Sequence, residues 1–93
     1  MPGEWQKSAA DHEVIINLAG ASIFRRWNAS ARRLIEDSRI LTTQNIVDAL
    51  ASRQDKETHF ISISGVGYYG YNRAELVDEV CPPGTDFLAK LAQ

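Results

Sequence analysis

At 93 residues, with a net charge of −2 and 44% apolar side chains, the chain has the makeup of one small globular domain. That balance gives no electrostatic case for nucleic acid or an anionic membrane, and no apolar run approaches the eighteen or so residues of a membrane helix. Cys81 is the only cysteine, which excludes an internal disulfide and points to a reducing, cytoplasmic setting.

Met1-Pro2-Gly3-Glu4-Trp5 lacks the basic and apolar regions of a signal peptide, and residues 1–12 read as polar and irregular. Glu13-Val14-Ile15-Ile16-Asn17-Leu18 is apolar and β-branched, which predicts a strand ending in Ala19-Gly20. Gly20-Ala21-Ser22 reads as a loop. Ile23 to Trp27 mixes bulky apolar and basic residues without a defined pattern. Asn28 suits a helix N-cap. Beyond it Ile40, Thr43, Val47 and Leu50 recur at three- and four-residue steps, which turns one helical face toward the sheet. Asp37 or Ser38 could cap a second helix, with a bend there. The helix is expected to end between Ser52 and Gln54, with a turn at Asp55-Lys56-Glu57.

The run from His59 to Gly70 is the most informative part of the chain. Phe60, Ile61 and Ile63 make a nearly continuous apolar strand, as expected of one buried on both faces of a parallel sheet. It leads into small residues, hydroxyls and tyrosines. Two strands joined by a helical crossover of about forty residues make a βαβ unit. Ligands of open α/β sheets bind beyond the carboxyl ends of such strands. Ser62, Ser64, Tyr68 and Tyr69 lie at or past that end. Tyr71-Asn72-Arg73 and the acidic run from Glu75 to Glu79 read as exposed loop, and Cys81-Pro82-Pro83-Gly84-Thr85 as a break. Thr85 or Asp86 then caps a helix of roughly two turns over Phe87–Gln93, short against an average of about eleven residues.

Four segments in combination carry a family resemblance: Val14-Ile15-Ile16-Asn17-Leu18-Ala19-Gly20, Arg26-Trp27-Asn28, Asp37-Ser38-Arg39-Ile40 with Thr43, and Ser62-Ile63-Ser64-Gly65-Val66-Gly67-Tyr68-Tyr69-Gly70. Pro82-Pro83-Gly84-Thr85-Asp86-Phe87-Leu88-Ala89 fits as well. Together they resemble the middle of an extended short-chain dehydrogenase/reductase of the YfcH-like nucleoside-diphosphate-sugar epimerase family. The resemblance implies an α/β fold: a partial Rossmann-like βαβ unit with parallel strands, residues 1–93 being one central segment of a larger NAD(P)-binding fold. That segment lacks the N-terminal glycine-rich strand-turn-helix. Gly65-Val66-Gly67 has no third glycine and no clear helix after it, so it is not that fingerprint.

The resemblance also implies roles. Asn17, Leu18, Ala19 and Gly20 would line the dinucleotide path, where small residues let a cofactor approach the backbone, and Ser62 would lie on the cofactor side. Ser64 would be the hydroxyl that orients the substrate oxygen, with Ser62 and the Gly65 position as competing alignments. Tyr68 or Tyr69 could supply a phenol, Tyr69 being the catalytic candidate. The family's tyrosine position holds Phe87, and no Tyr-x-x-x-Lys exists in the chain. A lysine at that spacing lowers the phenol pKa, so the chain departs from the family's tyrosine-based catalysis.

Two functions follow as expectations. One is a fragment of an NAD(P)-dependent epimerase/dehydratase-like oxidoreductase acting on a nucleotide sugar, inactive as this chain and binding neither NAD nor NADP tightly. The other is a non-catalytic oligomeric module that keeps only the scaffold. Arg25, Arg26, Arg32 and Arg33 around Trp27 suit either a phosphate group or a solvated face. His12 and His59 fit no metal pattern. One helix can cover only one face of two strands that are apolar on both, which predicts self-association through the bare face.

Overall fold

β-Branched and aromatic side chains fill the two segments that pair. In the computed structural model, which describes residues 2–53, 56–71 and 74–93, β1 (Val14–Asn17) and β2 (His59–Ser62) lie parallel. Their register sets Val14 beside His59, Ile15 beside Phe60, Ile16 beside Ile61 and Asn17 beside Ser62. The chain forms two compact units, residues 1–63 and 64–93.

In the first unit the crossover is α2 (Ala29–Ala51), started by Asn28, whose carboxamide accepts the Ala31 N–H at 2.8 Å. The helix runs unbroken through Asp37 and Ser38, so neither caps a second helix. Ser38 instead turns its hydroxyl back onto the Ile35 carbonyl at 3.0 Å. The buried face is Ala31, Ile35, Asn45, Ile46 and Ala49. The expected face was misphased: Ile40 and Val47 are exposed, while Thr43 and Leu50 are half-buried at its margin. Apolar residues stand on three sides of this helix, so spacing alone did not fix which side turns inward.

Residues 1–12 are not irregular throughout. Trp5–Ala10 is a short helix, α1. It packs on α2, where the Gln6 carboxamide donates to the Asn45 carbonyl at 2.9 Å. Tertiary contact thus makes helical a segment with no apolar period of its own. The helix end lies at Ala51, with Ser52 as C-cap. Parts of three expected features, at Gln54, Asp55, Asn72 and Arg73, fall outside the described residues.

The strands are not buried on both faces. Side chains alternate across a sheet. Asn17 meets Thr43 of α2, so Ile15 and Phe60 face the helix with it, and both are half-buried. Val14, Ile16 and Ile61 point the other way and are 51%, 57% and 48% exposed.

The second unit holds a 3-10 turn at Val66–Tyr69 and α3 (Phe87–Ala92). Asp86 caps α3, its carboxylate accepting the Ala89 N–H at 3.0 Å. Gly84 N–H donates to the Tyr68 carbonyl at 2.8 Å, and a Cβ on Gly84 would lie 2.7 Å from Gly70 N and 2.8 Å from Gly70 Cα. Only glycine permits that approach. Gly70 itself has φ +90°, a region that side chains disfavour.

Candidate functional site at the strand ends

The carboxyl edge of the parallel pair gathers five of the sequence-derived candidates. Asn17 and Ser62 are register partners at the last position of each strand, and Leu18, Ala19 and Gly20 follow β1. The next rung continues past them, with Ile63 N–H donating to the Asn17 carbonyl at 3.2 Å.

Asn17 is buried, and its carboxamide works inward. Nδ2 donates to Thr43 Oγ1 at 3.0 Å, and Oδ1 accepts the Ala19 N–H at 3.1 Å. The second bond is a side-chain turn that mimics a backbone one. It fixes the course of the chain as it leaves the sheet. Leu18, Ala19 and Gly20 are exposed at that exit, Leu18 by 73%. Ser62 is also exposed.

Three residues of α2 brace this exit: Thr43 through Asn17, and Ser38 and Arg39 through Ala21. Ala21 N–H donates to Ser38 Oγ at 2.8 Å, and Arg39 Nη1 donates to the Ala21 carbonyl at 3.1 Å. The resemblance includes Ser38, Arg39 and Thr43 but implies no part for them at the strand ends. The signal was present in their spacing: Ser38 and Arg39 are adjacent, and Thr43 lies one turn beyond Arg39, on the same side of the helix.

Ser64 and Tyr69 belong to the second unit, where both line a surface depression with Tyr68, Val77 and Glu79. Ser64 is exposed. The Tyr69 phenol donates to the Asp78 carbonyl at 2.9 Å and its ring meets Tyr68 edge-on, centroids 5.0 Å apart. Desolvation, followed by the Glu79 carboxylate, raises its pKa above the usual 10.0. The shift moves Tyr69 further from serving as a proton acceptor and leaves it a hydrogen-bond donor. Phe87 opens α3 and has no ionisable group.

The basic cluster contains a cation–π contact, with Arg32 6.0 Å from the Trp27 ring centroid. Among the described residues, no group of three or more His, Cys, Asp or Glu is placed to hold a metal ion. No helix among them is long and apolar enough to cross a membrane.

A parallel strand pair with a long helical crossover, its loop exits braced at the carboxyl edge, is a partial Rossmann-like α/β unit. No protein-family model matches the chain. It is 33% identical over 92 residues to the chloroplastic epimerase family protein SDR39U1 homolog of Arabidopsis thaliana, covering 97% of this chain and 26% of that protein. To the epimerase family protein ML0860 of Mycobacterium leprae it is 41% identical over 93 residues, covering 98% of this chain and 30% of the relative. The crystal structure of human epimerase family protein SDR39U1, isoform 2, with NADPH superposes with a TM-score of 0.78 at 29% identity. That match covers 98% of this chain and 35% of the human one. The chain is a homologue of these epimerase family proteins and spans about a quarter to a third of their length.

Proposed function

We propose that the chain forms the strand-end wall of a dinucleotide site in an NAD(P)-dependent nucleoside-diphosphate-sugar epimerase/dehydratase-like oxidoreductase. The observation that carries this reading is the braced exit of β1. There Leu18, Ala19 and Gly20 stand exposed while Asn17 and Ala21 are tied down on either side. That the human neighbour was solved with NADPH supports it.

In this reading Leu18, Ala19 and Gly20 line the cofactor path, and Ser62 offers a hydroxyl beside them. Asn17 shapes the path from beneath. A nicotinamide cofactor held there would take a hydride from a carbinol carbon of the sugar, or return one to the carbonyl carbon so formed. Ser64 holds the substrate oxygen by a hydrogen bond. Tyr69, protonated, donates to the substrate only by releasing the Asp78 carbonyl. The chain has no glycine-rich pyrophosphate turn and no tyrosine–lysine pair, so alone it neither holds the phosphates nor catalyses. The single cysteine, Cys81, fits work in a reducing cytoplasm. A second reading, a non-catalytic oligomeric module, is favoured by the exposed face of Val14, Ile16 and Ile61.

Amide NMR of the isotopically labelled chain with added NADPH tests the first reading. Shifts confined to Leu18, Ala19, Gly20 and Ser62, without saturation below about 1 mM, are expected, a constant that corresponds to only about −4 kcal/mol. Shifts that avoid these four residues would refute the cofactor assignment. Turnover of a nucleotide sugar that Ser64→Ala abolishes would refute the inactivity of the isolated chain.

A further inference from the structure

Gly20 lacks a side chain for a reason visible at Arg39. A Cβ built on Gly20 would lie 2.7, 2.8 and 3.1 Å from Cζ, Nη2 and Nε of Arg39. Three such similar distances to one point lay the guanidinium flat over the glycine. The same side chain donates through Nη1 to two carbonyls, those of Ala21 and Ile35, each at 3.1 Å. Ser38 closes a second bridge between the same two residues. Its hydroxyl donates to the Ile35 carbonyl at 3.0 Å and accepts the Ala21 N–H at 2.8 Å. Both backbone groups of Ala21 are therefore bound to side chains of α2, and both side chains are themselves anchored on one carbonyl of that helix.

An exposed loop needs none of this, because water satisfies its backbone groups at little cost. Ordering it sacrifices backbone conformational entropy at every residue, and an arginine held in one rotamer loses more. Such bracing makes sense where the loop must keep one shape for something that binds it. We infer that Arg39 and Ser38 are a positioning pair that clamps Gly20 and Ala21, so that Leu18 to Gly20 present a preformed surface. That the surface meets a dinucleotide rests on the function proposed above. Arg39 touches no reacting group in this scheme. It acts through the backbone it holds.

Hydrogen exchange of the Ala21 amide, read beside that of α2 amides, tests the clamp. Ser38→Ala removes its acceptor and should speed exchange about tenfold, as expected for one lost hydrogen bond, with α2 unchanged. Arg39→Met should also speed it, and Arg39→Lys, which restores a donor, should recover part of the protection. Gly20→Ala should displace the guanidinium and mimic Arg39→Met, so the double variant should exchange no faster than either single one. Unchanged Ala21 exchange in Ser38→Ala and Gly20→Ala, which both keep Arg39, would overturn the clamp even if Arg39→Met failed to fold. Additive effects of Gly20→Ala and Arg39→Met would overturn it as well. If the clamp holds but NADPH leaves Leu18 and Ala19 unshifted, the cofactor reading alone falls.

Discussion

Asn17 and Thr43, 26 residues apart in sequence, meet through a 3.0 Å hydrogen bond that joins the end of the first strand to the middle of the crossover helix. Asn17 is buried, so removing the partner leaves a polar hydrogen without water. Thr43→Val keeps the shape and deletes only the hydroxyl. It should destabilise the chain by about 1–3 kcal/mol, the range for one unsatisfied buried donor. Urea unfolding with an unchanged slope is the check. A midpoint equal to that of the parent chain would show that the bond contributes nothing.

Gly84→Ala should be severe. Its Cβ would fall within 3 Å of three backbone atoms of Tyr69 and Gly70, and backbone cannot swing aside as a side chain can. Overpacking of this kind costs about 1–3 kcal/mol. The loss should be read in the second unit, as faster exchange of the Gly84 amide, now bonded to the Tyr68 carbonyl. Exchange at Ile63, in the first unit, serves as the internal control.

The raised pKa of Tyr69 sets the direction of an alkaline effect. The folded chain holds this proton more tightly than the unfolded one. Its contribution is complete below the unfolded pKa near 10.0 and is lost as pH rises through the higher folded value. Spectrophotometric titration of tyrosinate should therefore lose a component above pH 10 in Tyr69→Phe. Loss of a component at or below pH 10 would contradict the assignment.

The face of the sheet turned away from α2 makes self-association the expected state. Val14, Ile16 and Ile61 are exposed there, and burying an aliphatic side chain of that size contributes about 1.5–3 kcal/mol. A second copy offers the same residues, which stack sheet on sheet and cover both faces at once. Sedimentation over a dilution series should show a dimer or larger species, and Ile16→Lys should yield a folded monomer. A cooperative monomer of the unmodified chain at low micromolar concentration would dismiss the proposal.

Both strands were legible in the sequence because β-branched runs such as Val14-Ile15-Ile16 have few other homes. Asn28 was legible as a cap, and Asp86 as one of two candidates with Thr85, because each offers a side-chain oxygen where a helix begins. The phase of α2 was not, since Leu34, Ile40, Leu41 and Val47 are apolar yet exposed. Nor was α1, which owes its helix to contact with α2. Of the candidate site, the positions at the strand ends were readable, but the inward aim of the Asn17 carboxamide was not. A sequence records that an asparagine ends a strand. Which neighbours it bonds depends on a helix residue 26 positions away.

The meeting of Gly70 and Gly84 has one more consequence. The Tyr68 carbonyl holds Gly84 N–H, and the Gln93 carboxamide holds the Gly84 carbonyl at 3.2 Å. The two ends of the intervening loop are thus pinned together at its neck, and Tyr69 holds a third point of it through the Asp78 carbonyl. Leu76, fully exposed within that loop, marks a place where residues can be added without disturbing the turn or α3. Doubling a flexible loop costs only about 0.6 kcal/mol in closure entropy. The neck thus makes the position of Leu76 a graft site, where length can change while Gly70, Gly84 and α3 stay fixed.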